Sequence, residues 1–426
     1  MSGDRIGTVG VLGSGVMGGG IAQVAAAHGH KVLLMDISED LLRAARERIM
    51  WSLEKFVEKG RLSIADAKSA VDRIKTTIDL KEAVQDADFV IEVVPEDMDL
   101  KIRVFGEVDR HAPPHAIVAS NTSGLSITML SEATERADKV VGMHWFNPPQ
   151  IMRGVEVIRG KHTSDDTVQT TIDLCKGYGK DPFLCRKDVW MFLANRVYRG
   201  MSFEPPLMLL REEASVLEID SAFRYKLGFP MGAFELVDLT GAVDIMVDVS
   251  RTVDKVLEKY PEWEPRPILL KVLKYLVSNF WEERRGKGLV GIKSGKGFYE
   301  YPGPGEYKRP HIPEEAGAGI DEASIVAPMV NTGTWVLSDG VGAREEIDKA
   351  MRLSFGWPRG IFELADEVGI DRIVQALGDK KGRAPAEYRD FYEPDPLLVR
   401  MAREGHTGRK SGKGFYDYEG ASDRSQ

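Results

Sequence analysis

Cysteine is nearly missing from this 426-residue chain: two residues, Cys175 and Cys185, are too few for a disulfide framework and lack the CxxC spacing of a zinc or redox site. They read as reduced structural thiols of a cytoplasmic protein. No run approaches the roughly 18 apolar residues of a membrane span. The N-terminus opens on a glycine-interrupted strand, where a secretory leader would show a basic region followed by an apolar stretch. Positive charge is in deficit, with 57 Lys and Arg against 66 Asp and Glu and a net charge of −9. That balance argues against a general nucleic-acid binder, whose affinity rests on cationic contacts to phosphates. Any polyanion bound here must meet local basic residues. The histidines outside the segments discussed below, such as His28 and His311, show no metal spacing, so no metal is expected. What remains is 43% hydrophobic and 29% charged residues, the composition of a soluble globular protein, in a chain long enough for two or three domains.

Ile6 to Leu12 form a short apolar run that leads into Gly13-Ser-Gly15-Val16-Met17-Gly18, after which Ile21, Val24 and Ala25 recur at helical spacing. Strand, glycine turn and helix in this order suit a dinucleotide. Gly13 permits the turn, Gly15 has no side chain to keep a pyrophosphate off the backbone, and Gly18 lets the helix pack on the strand. The helix N-terminus then faces the phosphates. A second strand, Lys31 to Met35, ends in Asp36, close to the ~20-residue offset at which a carboxylate grips a ribose 2′-hydroxyl. Asp36 would repel a 2′-phosphate, and Ile37 and Ser38 supply no arginine to welcome one, so the expected cofactor is NAD and not NADP. A further strand, Phe89 to Val94, closes on Pro95 and Glu96, at a strand end where open α/β sheets place ligands.

Three polar segments then adjoin apolar runs: Ser120 to Gly124, Gly142 to Pro148, and Val155 to Ile158. Hydride transfer from a secondary alcohol needs a base for the hydroxyl proton, and histidine titrates in the right range, which makes His144 the candidate. An imidazolium in a cleft needs an anion on its other nitrogen. Glu156, twelve positions on, could return to that place.

The order of motifs resembles the 3-hydroxyacyl-CoA dehydrogenase family across nearly the whole chain: GSGVMG at Gly13 to Gly18, SNTS at Ser120 to Ser123, HWFNP at His144 to Pro148, VEVI at Val155 to Ile158, ANR at Ala194 to Arg196, and GFPMGAFEL at Gly228 to Leu236. The resemblance implies NAD-dependent oxidation of a 3-hydroxyacyl-CoA, short-chain such as 3-hydroxybutyryl-CoA, with His144 as general base and Glu156 as its partner. It implies that Ser123 and Asn195 hydrogen-bond the reacting oxygen, and that Glu96, Lys101, Asn147 and Lys293 lie near the nicotinamide half of NAD. Ser52 and Lys59 fall where the family contacts CoA. The cations Arg46, Arg48, Lys55 and Lys59 crowd that helix and suit a polyphosphate. Departures from the family pattern are Trp190-Met191 in place of the usual Pro-Gly, Gly124 in place of a second serine, and Pro205-Pro206, expected to interrupt and kink the helix that carries Asn195.

Gly291-Ile-Lys-Ser-Gly-Lys-Gly-Phe-Tyr299 returns as Gly408-Arg-Lys-Ser-Gly-Lys-Gly-Phe-Tyr416, and Gly228 to Leu236 returns as Gly356 to Leu364. Two motifs repeated in one order indicate a duplicated helical domain. The expected fold is an α/β Rossmann-type dinucleotide-binding domain (1–187) followed by two all-α helical domains (188–303 and 321–420). The linker, 304–320, lies in a stretch rich in Pro, Gly and charge. Asp220 and Asp348 are expected to serve packing or caps. The resemblance makes an acyl-CoA the substrate partner, with no nucleic acid and no membrane. It also suggests a separate enoyl-CoA hydratase, since nothing here resembles a crotonase module, and a monomer or homodimer. Two other readings stay open: a dehydrogenase of another hydroxy acid that uses a catalytic lysine, against which the HWFNP and SNTS pair argues, and a non-catalytic NAD- or CoA-binding structural protein.

Overall fold

The apolar run after Ile6 forms β1 (Thr8–Leu12) in the computed structural model, which describes residues 6–418 apart from 262 and 264. The described chain divides into two compact units, one through Phe192 and one from Leu193 onward. In the first, β1 is joined by β2 (Lys31–Met35), β3 (Ile74–Thr77), β4 (Phe89–Glu92), β5 (Ile117–Ser120), β6 (Val140–Trp145), β7 (Gly154–Ile158) and β8 (Asp181–Cys185). Their order across the sheet is β3-β2-β1-β4-β5-β6-β7-β8. β1 to β6 run parallel, β7 turns back antiparallel to β6, and β8 follows β7 in parallel. The chain leaves β1 toward β2 on one side and reaches β4 on the other. The order therefore reverses between β1 and β4, where such sheets open a ligand crevice at the strand ends.

The central strands are buried along their length, which explains their unbroken apolar runs. The core gathers Val9, Val11, Leu34, Ile91 and Val141 from the strands with Ile21, Leu42 and Leu174 from the helices. Most helices of this unit begin on a side-chain cap: Ser38 for Glu39–Glu58, Asp97 for Met98–His111, Ser164 for Asp165–Gly177. Val16–Ala27 is different. Its N-cap is Gly15, with no side-chain cap and no acidic residue in its first turn. β4 ends at Glu92, two residues short of the expected Val94.

The second unit is helical, and its repeat extends to individual hydrogen bonds. Asp220 accepts from the Phe234 and Glu235 amides and the Tyr299 hydroxyl, and Asp348 accepts from Phe362, Glu363 and Tyr416 in the same way. Asp238 takes the Phe298 and Tyr299 amides, and Asp366 those of Phe415 and Tyr416. Both expected caps are therefore caps. The helix Ala194–Leu210 packs on Glu322–Ser338 so closely that a β-carbon at Gly200 would approach the Pro328 carbonyl oxygen to 2.6 Å. Gly200 and Pro328 are 128 positions apart, as are Asp220 and Asp348, so equivalent positions of the two copies meet at the crossing. The first copy's Glu204, fully buried, receives Lys380 (2.6 Å) and the Tyr392 hydroxyl (2.6 Å) from the second. The connecting stretch is pinned to the first copy, since Ser221 donates to the Glu314 carbonyl and Lys226 to those of Ala318 and Ile320. Pro205 and Pro206 do not interrupt their helix. It continues to Leu210 with both prolines buried, because the fixed proline φ is compatible with helical backbone and what is lost is the amide donors.

Candidate active site

The three glycines of the first turn meet different surroundings. Gly13 has φ +104°, and a β-carbon there would lie 2.5 Å from the Val93 carbonyl oxygen. At Gly18 a β-carbon would collide with the Gly13 carbonyl, whereas at Gly15 nothing lies within 4 Å. The first and third therefore close the strand–helix packing and the middle one leaves open space at the uncapped helix N-terminus, which suits a pyrophosphate. Val16 is exposed beside this space and Met17 partly buried. Asp36, at the end of β2, accepts from the Ser14 amide and hydroxyl (both 2.7 Å) and the Ile37 amide (2.7 Å), which holds its carboxylate at the lip of the turn.

The next strand end carries a charge network that the sequence reading missed in part. Glu92, fully buried, accepts from Lys101 Nζ (2.7 Å), the Ser120 hydroxyl (2.6 Å) and the Val94 amide (2.7 Å). Lys101 is also buried, donates to the Val94 carbonyl (3.0 Å) and lies 3.4 Å from Glu96. Glu96 in turn accepts from the Thr122 hydroxyl (2.5 Å) and the Ser123 amide (3.0 Å). Three charged side chains thus tie the loop after β4 to the SNTS loop after β5. Glu92 could have been found as a carboxylate inside an otherwise apolar run.

His144 and Glu156 face each other in the antiparallel register of β6 and β7. Their twelve-residue spacing is that of two strands joined by a turn, which is why it brings them together. His144 Nδ1 lies 2.9 Å from Glu156 Oε2, with the histidine 5% and the glutamate 0% exposed. A carboxylate in that position accepts from Nδ1–H, so the tautomer leaves Nε2 as the acceptor. Phe146 and Phe192 stand against the imidazole, with ring centroids at 4.6 and 6.2 Å. The Asn121 side chain receives the Trp145 amide (2.9 Å) and so fixes the SNTS loop to the histidine strand. At Trp190-Met191-Phe192, Met191 and Phe192 have φ of +66° and +52°, left-handed values costly for side chains of this size. Gly124 lies under this segment, where a β-carbon would be 3.5 Å from the Met191 amide nitrogen.

Asn147 is exposed just beyond β6, and Ser123 is exposed in its loop. Asn195 and Lys293 belong to the second unit. Asn195 stands in the first turn of its helix, and the Lys293 ammonium lies 3.2 Å from Asp244, an ion pair repeated by Lys410 and Asp371. On the helix Glu39–Glu58, Ser52 is buried, and Lys59 is exposed just past the C-terminal end. The basic cluster there is divided: Lys55 pairs with Glu58, and Arg48 donates to the Ser14 carbonyl (2.9 Å), beside the glycine turn. Among the described residues no group of three or more His, Cys, Asp and Glu is placed to hold a metal, and no helix is long and apolar enough to cross a membrane.

Residues 8–189 match the NAD-binding domain of the 3-hydroxyacyl-CoA dehydrogenase family, and residues 192–301 and 323–418 each match its C-terminal domain. The chain is 36% identical to a mitochondrial hydroxyacyl-coenzyme A dehydrogenase of Sus scrofa over 298 residues, which is 68% of this chain and 90% of that one. It is 35% identical to a probable 3-hydroxybutyryl-CoA dehydrogenase of Bacillus subtilis over 291 residues, 68% of this chain and 96% of that one. The crystal structure of a 3-hydroxybutyryl-CoA dehydrogenase from Escherichia coli K12 superposes with a TM-score of 0.80 at 26% identity, covering 94% of this chain and 99% of that one.

Proposed function

The chain belongs to the 3-hydroxyacyl-CoA dehydrogenase family, and from that premise we propose that it interconverts (S)-3-hydroxyacyl-CoA and 3-ketoacyl-CoA, with short-chain substrates such as 3-hydroxybutyryl-CoA preferred. The observation that carries this reading is the buried His144–Glu156 pair. A scaffold protein gains nothing from an imidazole oriented by a carboxylate in a strand interior, whereas an alcohol dehydrogenase needs one.

NAD, when bound, supplies the hydride acceptor. The residues present fit it: Gly13, Gly15, Val16, Met17 and Gly18 form the pyrophosphate turn, and Asp36 is held ready for a free ribose 2′-hydroxyl. Glu96, Lys101, Asn147 and Lys293 are assigned to the nicotinamide half. Lys101 acts there through Glu92 and Glu96, to which its ammonium is committed. His144 Nε2 takes the proton of the 3-hydroxyl. Its ring gains charge as the substrate carbon loses hydride, and Glu156 offsets that charge. Ser123 and Asn195 donate to the reacting oxygen, and Ser52 and Lys59 hold the CoA end.

The same reading places the chain in the cytoplasm as a monomer or homodimer, with a separate enoyl-CoA hydratase supplying substrate. Two buried cysteines are consistent with a reducing compartment. It also takes 1–187 as the dinucleotide domain and 188–303 and 321–420 as two helical domains joined by 304–320, supported by the close crossing at Gly200. The test is a steady-state series of 3-ketoacyl-CoA substrates from four to sixteen carbons with NADH. Turnover that is fastest at the short end supports the reading. No turnover at any length, by a protein that binds NADH, contradicts it.

A further inference from the structure

Lys180 sits between the helix Asp165–Gly177 and β8. It is 8% exposed, and it has no carboxylate partner among the described residues. Its ammonium donates to the carbonyl oxygens of Pro149 (2.6 Å) and Met152 (2.7 Å) and lies 5.6 Å from the centroid of the Trp145 ring. A buried ammonium without a counter-ion is costly, so its placement calls for a reason.

The turn it holds supplies one. Pro148 and Pro149 bring no amide hydrogens, while the Ile151 and Met152 amides are both spent on the Pro148 carbonyl. The inward carbonyls of Pro149 and Met152 therefore depend on a side-chain donor, and Lys180 provides both bonds. This turn directly follows the segment His144 to Asn147. Its other side rests on the helix Val16–Ala27, where a β-carbon at Gly20 would lie 2.5 Å from Pro149 Cγ. The turn is thus wedged between the strand that carries the base and the helix whose N-terminus faces the pyrophosphate turn.

We propose that Lys180 is a positioning residue, whose ammonium sets the Pro149–Met152 turn and with it the register of His144 and Asn147 against the cofactor helix. The inference rests on the reading of His144 as the base. Lys180 directs its bonds to backbone carbonyls of the turn. It acts through the turn, and a displacement of about 1 Å at the base is enough to cost on the order of 10²-fold in rate.

The charge state gives a second handle. Burial holds the Lys180 ammonium down at about 8, against the ordinary lysine value. The neutral amine gives up one of its three hydrogens and keeps two donors, but it loses charge assistance, which roughly halves each bond. The groups facing Lys180 are Cys175 and Tyr178 from the preceding helix and its end, both pushed far upward by burial, and Arg153, paired with Asp181. His28 and His30 pack against Tyr178, and burial pushes His30 down, away from the alkaline range. Burial therefore makes Lys180 a group of this cluster whose charge falls away near pH 8.

The experiment measures kcat and NADH affinity for Lys180→Met, which keeps the stem and removes the donors, alongside NADH affinity of the unaltered protein from pH 7 to 9. A folded Lys180→Met protein should lose roughly 10- to 100-fold in kcat and bind NADH several-fold more weakly, without the pH dependence. The unaltered protein should lose NADH affinity several-fold with a midpoint near 8, and a flat profile from pH 7 to 9 counts against the proposal even if the variant does not fold. A lysine that serves stability alone would lower the melting temperature and leave kcat per folded molecule, NADH affinity and its pH profile unchanged. That outcome overturns the proposal. His144→Gln with Lys180 intact separates the two ideas: an inactive His144→Gln protein beside a fully active Lys180→Met protein refutes only the role of Lys180.

Discussion

Replacing Glu156 by glutamine removes one charge and almost no volume from a site that is fully buried. The amide oxygen can still accept from His144 Nδ1–H at the present 2.9 Å, so the tautomer that leaves Nε2 free is preserved. What disappears is the attraction between carboxylate and imidazolium. With charge centres about 4 Å apart and an effective dielectric near 20, that attraction is roughly 4 kcal/mol. In the oxidation direction the imidazole is neutral in the ground state and partly charged in the transition state, so about half of this, ~2 kcal/mol, is lost from the barrier. The expected fall in kcat is on the order of 30-fold, since each ~1.4 kcal/mol is a factor of ten. KM for the hydroxyacyl-CoA should change much less, because the lost interaction belongs to the transition state. The assay is initial-rate oxidation of 3-hydroxybutyryl-CoA followed by NADH absorbance, after circular dichroism has shown a folded variant. A folded Glu156→Gln protein with kcat within about twofold of the unaltered enzyme would refute the reasoning, since that spans under ~0.5 kcal/mol.

Asp36→Ala should narrow the preference for NADH over NADPH, measured as a ratio of kcat/KM values. Equal use of both by the unaltered enzyme would remove the ribose role of Asp36. Deleting the chain from Asp321 onward uncovers the face at Gly200 and leaves Glu204 without Lys380, so the truncated protein should dimerise or aggregate; a soluble monomer by light scattering at high concentration counts against docked copies. Asp348 is buried, and desolvation pushes it up to about 6 in the folded state. A carboxyl raised in this way adds stability that is full below its unfolded value near 4 and is lost as pH rises through about 6. The melting-temperature gap between the unaltered protein and Asp348→Asn should accordingly be wider at pH 5 than at pH 7.5, and a gap independent of pH contradicts the linkage.

Much of the first unit was legible because its signals are local. The glycine turn, the Lys31–Met35 strand and the Asp36 offset need nothing beyond neighbouring residues, and the structure places them as read. The His144–Glu156 pair was legible for a related reason, since a short antiparallel return makes sequence separation report on contact. The tandem helical motifs showed themselves by repetition, down to Asp220 and Asp348. What escaped was long-range and polar. Glu92 reads as the fourth residue of an apolar strand, and only the fold brings Lys101 and Ser120 to it. Arg48, counted among the cations for a polyphosphate, also reaches the Ser14 carbonyl, 34 positions away, which no local signal announces. Lys180 escaped because nothing local reveals that two prolines have stripped donors from a turn 30 residues upstream. The proline pair in the Ala194–Leu210 helix misled in the opposite sense, as the fixed proline φ fits helical backbone and the helix runs on to Leu210.

The central claim is that His144 carries the proton, and the most direct test is kcat for 3-hydroxybutyryl-CoA oxidation by His144→Gln, with NADH binding measured on the same folded sample. A positioned base contributes about 10²–10⁴-fold, so kcat should fall by that order while NADH still binds. A folded His144→Gln protein that binds NADH and turns over at a near-normal rate would show that the proton is handled elsewhere and contradict the account.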